Sequence, residues 1–348
     1  MDCLETKFRS EETSEPTLCC VANASLLLFH ENLDTYKFTV GANGRSPLVF
    51  AKSKIQNGIT SNWNFKSRGF MQEASAKDIK LLVVDIDGTI AGHSNTISEP
   101  VKHALIAAQA QGIPVAIATG RMYRSALRFH QEIGSKLPLM AYQGAWIQDP
   151  TTQKIHRHLV VSREIAHQLI DYFEQPQLRQ LLSVHFYIND QLYVREITKE
   201  SEIYAGRSGI IPIPVGDLRQ VLTNEPTKIL ALCDDTNFIS EVLGNLRRQY
   251  TPAELYLTTS VATFLEATNP SVNKGTAVRY LAEELLGLQL ANVMAIGDNF
   301  NDLEMLECVG FGVAMGNAPE PVQAIAQWVA PSVEEDGVAV AIEKFLLQ

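Results

Sequence analysis

The sequence predicts a doubly wound α/β protein with an inserted α+β segment. Two observations carry that prediction. Short apolar, β-branched runs alternate with helical patterns from residue 79 to about 160, and again after 270. Between these stretches, strand-like runs and helices follow one another without that alternation. The size agrees: 348 residues is about two domains at roughly 150 residues each. With 46% hydrophobic residues, the chain can bury a substantial core.

The elements follow in order. IleLysLeuLeuValValAsp (79–85) reads as a buried parallel strand. A helix is predicted over 98–111, with Ser98 as N-cap, Pro100 in the first turn and Gly112 at its end. ProValAlaIleAlaThr (114–119) is a second strand, 122–133 a helix and LeuMetAlaTyr (139–142) a third strand. The inserted segment begins with a helix near 163–174 and strands at 181–188 and 191–195. A polar connection and a proline-containing piece at 210–214 come next. The segment continues with a strand at 228–232, a helix at 236–249 and strands near 254–259 and 262–266. After it, 274–285 is a helix, ValMetAlaIleGlyAsp (293–298) a strand, and 301–306 opens a further helix.

Polar clusters follow four of these elements. Asp85 and Asp87 stand two apart at a strand end, where open α/β sheets place reactive groups. Their spacing puts both side chains on one side of an extended strand. One carboxylate could be a nucleophile and the other a proton donor, or the pair could be turn residues before Gly88. Thr119-Gly120-Arg121 closes the second strand; its hydroxyl and free N–H groups suit a phosphate, although Thr119 alone reads more readily as a helix cap. Lys274 opens a helix against the dipole, which hints at an anionic partner or marks a solvated lysine. GlyAspAsnPheAsnAsp (297–302) places Asp298 at another strand end, with Asn301 and Asp302 in the next turn, a hard-oxygen set suited to Mg²⁺ or a capping loop.

In this order the clusters resemble those of the haloacid dehalogenase (HAD) superfamily, and within it the Cof-type (subfamily IIB) phosphatases. AspIleAspGlyThr (85–89), ThrGlyArg (119–121), Lys274 and GlyAspAsnPheAsnAsp match its four motifs. Residues 312–322 and 334–342 look like the C-terminal signature of that branch. The resemblance spans about 79–348. It implies a Rossmann-like core over 79–160 and 263–348, with a C2-type α+β cap over 161–262. One departure is visible. The family's Asn-Gly-Ala after the third strand is GlnGlyAla at 143–145, one methylene longer at a structural or substrate-proximal position.

The resemblance also implies roles. Asp85 attacks phosphorus to form an aspartyl-phosphate, and Asp87 protonates the leaving alcohol and then deprotonates water. Mg²⁺ is held by the Asp85 carboxylate, the Asp87 backbone carbonyl and the Asp298 carboxylate. Thr119, Gly120, Arg121 and Asn301 contact the substrate, with Thr119, Gly120 and Asn301 on its phosphoryl oxygens. Lys274 neutralises the transition state, and Asp302 orients Lys274 or the metal shell. Cap residues His185, Tyr187, Tyr193, Arg195 and Arg207 are candidate contacts to the leaving group. The expected substrate is a small phosphate ester of the sugar phosphate, pyridoxal phosphate or flavin mononucleotide type. A phosphomutase using the same intermediate and a catalytically silent phosphometabolite-binding protein are the alternatives.

Composition bounds the rest. A net charge of −10 argues against coating nucleic acid. No run reaches the roughly 18 apolar residues of a membrane span. Five cysteines without a CxxC pair or zinc spacing suggest a reducing compartment, with Cys233 and Cys308 as buried fillers. Residues 1–78 lack periodicity, and 35–72 hold six Lys or Arg and no acid. That stretch reads as a disordered extension or transit peptide, with the chloroplast stroma preferred and the cytoplasm otherwise. The acidic extreme N-terminus, with Asp2, Glu5, Glu11, Glu12 and Glu15, is atypical of such leaders.

Overall fold

The computed structural model describes residues 78–347. The expectations for 1–77, the transit peptide among them, lie outside the described residues. Five parallel strands form the central sheet, in the spatial order Trp328–Val329, Phe311–Ala314, Val293–Gly297, Leu81–Val84, Val115–Ile117. Side chains alternate across a strand, so Leu82 and Val84 face one apolar cluster and Leu81 and Val83 another. The first cluster takes Val101, Leu105, Val338 and Ile342 from the helices Glu99–Ala110 and Gly337–Phe345. The second takes Val278 and Leu306 from Lys274–Arg279 and Leu303–Cys308. Helices cover both faces, as a doubly wound sheet requires.

A separate six-stranded sheet has the order Tyr256–Thr258, Phe264–Thr268, Lys228–Leu232, Ser183–Ile188, Gln191–Val194, Ile213–Pro214. Phe186, Ile188, Ile229 and Ala231 pack beneath the helices Arg163–Phe173 and Thr236–Gln249. Tyr187, Leu230 and Leu232 belong instead to the cluster that runs into the first domain. This period of two also places Lys228 and Glu266 on that inner face.

Several expectations are refined or corrected by the structure. Phe264–Thr268 pairs antiparallel with Lys228–Leu232, so the inserted sheet runs past the expected boundary at 262. Leu139–Ala141 is the expected third strand, bridged in parallel to the edge of the central sheet at Ala118–Met140, and it also joins the antiparallel strands Trp146–Gln148 and Ile155–His158. The polar connection contains a helix, Lys199–Ser208, started by a Thr198–Ser201 capping box. The expected 274–285 helix is α-helical only to Arg279 and continues as a π-helix over Tyr280–Leu285. Gly275 makes the close approach there possible. A Cβ at that position would lie 2.5 Å from the Glu304 carbonyl oxygen. Cys233 and Cys308 are half-buried rather than core fillers.

Candidate active site

The Leu81–Val84 strand ends one residue before Asp85. The Ile86 carbonyl accepts hydrogen bonds from the N–H groups of Thr89, Ile90 and Ala91, which curls the chain into a tight turn. The two aspartates therefore do not share the face of an extended strand. Asp85 is buried, with Oδ1 2.8 Å from Lys274 Nζ. Asp87 is turned to other cations. Arg121 grips its carboxylate with Nε and Nη2, both at 2.7 Å, and Arg207 of the Lys199–Ser208 helix adds a bond at 3.0 Å. Gly88 (φ +78°) permits the turn, and a Cβ there would lie 2.1 Å from Asp298 Oδ2. The backbone and the Asp298 carboxylate could not otherwise approach so closely.

Lys274 is the centre of the buried charge. It is fully enclosed and also donates to Asp302 Oδ1 at 2.6 Å. The second Asp302 oxygen accepts the N–H groups of Asp298 (3.0 Å) and Asn299 (3.1 Å). Both Asp302 oxygens are thus committed, one to the lysine and one to the loop that presents Asp298. Asp298 itself accepts from Thr89 Oγ1 at 3.1 Å and Asn317 Nδ2 at 3.4 Å. The carboxylates of Asp85, Asp298 and Asp302 gather with ligand atoms within 4.8 Å of one another. The Asp87 side chain is not in this group.

Electrostatics follow from burial. Desolvation raises the Asp85 pKa against the pull of Lys274, and desolvation with the charges of Asp302 and Asp85 raises that of Asp298. Burial also works against ionisation of Asp87, but Arg121 and then Arg207 outweigh it and hold its pKa below the usual value. Desolvation works against the Lys274 charge, yet Asp302 and Asp85 reverse the balance and keep it firmly protonated. One lysine faces three gathered carboxylates. That deficit of positive charge, in a cluster of hard oxygen donors, fits a divalent cation of the Mg²⁺ type. Asp85 uses Oδ1 for Lys274, and each Asp298 oxygen accepts a single hydrogen bond, so these two carboxylates could hold such an ion.

The expected phosphate-side residues meet in one place. Thr119 is buried, and its Oγ1 accepts the Arg121 N–H at 3.2 Å rather than capping a helix. The first N–H groups of the Tyr123–Glu132 helix are bound by the inserted segment's Asp190, at 3.1 Å (Tyr123) and 3.0 Å (Arg124). Asn301 Nδ2 donates to Gln143 Oε1 at 3.2 Å, and the Gln143 N–H binds the Thr119 carbonyl at 2.8 Å. Gln143 therefore ties the second polar cluster to the fourth. It does so from a left-handed backbone (φ +59°), beside Tyr142 at φ +52°. That region favours Gly or Asn, so a glutamine there is strained. Its buried Nε2 has no partner among the described residues.

A cavity of about 250 Å³ opens beside these groups, lined by Asp85, Asp87, Gly120, Arg121 and Asn301 on one side. The opposite wall is the inner face of the six-stranded sheet and the Lys199–Ser208 helix. It carries Tyr204, Arg207, Phe264 and the buried pair Lys228–Glu266, whose charged atoms are 3.6 Å apart. Lys228 also donates to the Gly120 carbonyl at 3.2 Å. The Glu266 oxygen of that pair, Oε2, is buried without a hydrogen bond among the described residues, on a residue that lines the cavity. Of the five candidate cap contacts, Arg207 alone is among the residues lining this cavity. His185 and Tyr187 are buried in an aromatic cluster with Tyr204, Arg195 pairs with Glu174, and Tyr193 packs beneath the outer helices. Lys228 and Glu266 are not among the site residues expected from the sequence. The available signal was a lone charge at an inward position of each apolar strand run.

Comparison with known proteins agrees over the same residues. A family model for haloacid dehalogenase-like hydrolases matches residues 82–342. A Haemophilus influenzae protein that carries a phosphatase name is 32% identical over 265 residues, 76% of this chain and 97% of its own. The 5-amino-6-(5-phospho-D-ribitylamino)uracil phosphatase of Bacillus subtilis is 29% identical over 273 residues, 76% of this chain and 97% of its own. The crystal structure of a haloacid dehalogenase-like hydrolase from Bacteroides thetaiotaomicron superposes with a TM-score of 0.68 at 27% identity, covering 76% of this chain and 99% of its own.

Proposed function

Because the chain belongs to the haloacid dehalogenase-like hydrolase family, as a Cof-type phosphoric monoester hydrolase, we propose that it is a Mg²⁺-dependent phosphatase of small phosphorylated metabolites working through an aspartyl-phosphate on Asp85. One observation carries the reading: buried Asp85, Asp298 and Asp302 gather at Lys274, which pairs with Asp85 and Asp302, beside a cavity whose opposite wall is the inserted cap. Sugar phosphates, pyridoxal phosphate and flavin mononucleotide are the candidate substrate types. The transit-peptide reading of residues 1–78, with the chloroplast stroma as destination, belongs to the same proposal and rests on composition.

Asp85 attacks phosphorus, forming the Oδ–P bond as the P–O bond to the alcohol breaks. Asp87 gives its proton to that alcohol and recovers one from the water that later cleaves the acyl phosphate. Its ion pairs favour the ionised form, which is the form that deprotonates water. Service as the acid requires a looser hold. Arg207, 59% exposed, is the partner freer to give way than Arg121, 10% exposed. The N–H of Gly120 and the amide of Asn301 hold phosphoryl oxygens, and Lys274 balances the charge that develops on them. Bound between Asp85 and Asp298, Mg²⁺ would supply Lewis-acid charge that offsets repulsion between nucleophile and ester.

Phosphate release from a panel of phosphorylated metabolites, with and without Mg²⁺, tests the reading. The expected result is metal-dependent release that Asp87→Asn lowers by about 10²- to 10⁴-fold. Transfer of the phosphoryl group to a sugar hydroxyl without free phosphate would instead identify a mutase.

The buried carboxylates also predict a pH effect on the metal-free protein. Asp85 and Asp298 keep their protons above the ordinary value of 3.8, where the unfolded chain has already lost them. The native state then binds more protons, so unfolding free energy falls as pH rises through that window. Mg²⁺ replaces those protons. Its addition should therefore raise the melting temperature more at about pH 8 than at about pH 5. Equal increments at both pH values would contradict the assignment.

A further inference from the structure

A second pocket adjoins the catalytic cavity, sharing Ser125, Arg207 and Ser208 with it. Its lining includes Arg124, Arg128 and Arg207, together with Asn95, and no acidic residue. This is an unusual composition in a chain with a net charge of −10. Arg124 and Arg128 lie four apart on the Tyr123–Glu132 helix, a like-charge spacing that destabilises the helix unless something neutralises it.

The carboxylates nearby are too few. Arg121 and Arg207 share Asp87, and Arg124 takes Asp190 at 3.2 Å. Asp190 is already bound by Tyr142 Oη at 2.7 Å and by two backbone N–H groups. Arg128 pairs with no carboxylate among the described residues. It lies over the Phe129 ring at 4.1 Å and donates to the Asn95 carbonyl at 2.8 Å. Burial and the Arg121 charge work against its positive form and outweigh the support of Glu132 and Asp87. Asn95 is the hub. From a left-handed backbone (φ +57°), its Oδ1 accepts from Arg121 at 2.6 Å and its Nδ2 donates to the Arg207 carbonyl at 2.9 Å. Ser125 Oγ bonds the Ser208 carbonyl at 2.7 Å, which joins the two walls. Arg124 is held by Asp190 through Nε and by the Gln191 side-chain oxygen through both Nη groups, at 3.0 and 3.2 Å. Arg128 and Arg207 each use one Nη, to the Asn95 carbonyl and to Asp87, and keep donors to spare, the arrangement that binds a multiply charged oxyanion.

We propose that this pocket is a second anion site, built for a dianionic phosphate group bridging the Tyr123–Glu132 helix of the core to the C-terminal end of the Lys199–Ser208 helix of the cap. The group is either free inorganic phosphate or a second phosphoryl group of the bound substrate; the latter source rests on the phosphatase reading, the former does not. An anion there ties cap to core beside the catalytic cavity.

Calorimetric titration of the full chain in Mg²⁺ tests it. Arg124→Gln/Arg128→Gln is the variant; both side chains are exposed, and an unchanged melting temperature certifies the fold. With inorganic phosphate, the unsubstituted protein should bind one phosphate per chain more than the variant. That difference is independent of whether the catalytic cavity binds phosphate or the protein turns over any ester. In an Asp85→Asn background, fructose 1,6-bisphosphate is compared with fructose 6-phosphate. If the anion belongs to substrate, the bisphosphate binds about tenfold tighter or more, and the double substitution removes that preference. Equal phosphate counts together with an unaltered preference would overturn the site. Absence of phosphate release from every ester would count against the phosphatase reading alone.

Discussion

Asp85→Asn should cut phosphate release by on the order of 10⁴-fold or more while leaving the fold intact. The substitution keeps the volume of the side chain and removes only its charge and nucleophilicity. An amide oxygen does not form the acyl phosphate, so the loss should fall on kcat rather than on KM. Stability should hold or rise. In the folded state Asp85 pays for burial beside Asp302 and Asp87, which is why its pKa is raised despite the salt bridge to Lys274. Removing that charge leaves Lys274 paired with Asp302 at 2.6 Å, so the lysine is not stranded. Two readouts separate nucleophile from bystander. Steady-state phosphate release gives the size of the loss, and acid-quenched labelling with radioactive ester should trap a phosphoryl-protein in the parent and none in the variant. Residual turnover within about tenfold of the parent, or undiminished labelling, would remove Asp85 from the nucleophile role.

Much of this site was legible in the sequence because apolar runs end where chemistry begins. Leu81–Val84, Val115–Ile117 and Val293–Gly297 are fully buried strands, and a polar residue directly after such a run stands at a sheet end. Asp85, Thr119 and Asp298 could be placed that way. Lys274 was named from its position before a helix, but its complete burial depends on carboxylates 28 and 189 residues away in sequence, which no local pattern encodes. The same limit hid the partners of Asp87. Local spacing suggested an extended pair with Asp85, whereas Arg121 and Arg207 reach it across 34 and 120 residues. Lys199–Ser208 was passed over because its sequence carries few apolar residues and its Ile203 is exposed; its capping box was the remaining signal. The boundary near 262 was misplaced for a related reason. PheLeuGluAlaThr reads as a strand, but the sheet it joins is decided by pairing with Lys228–Leu232.

Lys274→Met is expected to lose both activity and stability, and the two losses have different causes. Methionine fills much of the lysine's space, so packing changes little. What disappears is the cation between Asp85 (2.8 Å) and Asp302 (2.6 Å), where the lysine and Asp302 are fully buried. Breaking one partner from a buried ion pair typically costs about 3–5 kcal/mol, because the remaining charge has neither water nor a counter-ion. The metal-free variant should therefore melt well below the parent, and added Mg²⁺ should recover part of the difference by neutralising Asp85 and Asp298. Lys274→Met/Asp302→Asn then divides the effects. Removing the stranded Asp302 charge should restore much of the stability, since the asparagine Oδ1 can still accept the Asp298 and Asn299 N–H groups. Turnover should stay lost, because nothing in the double variant balances the charge on the transferring phosphoryl group. If instead the double variant regains activity along with its melting temperature, Lys274 serves only to neutralise the buried aspartates, and the charge on the phosphoryl group is balanced by something else in the site.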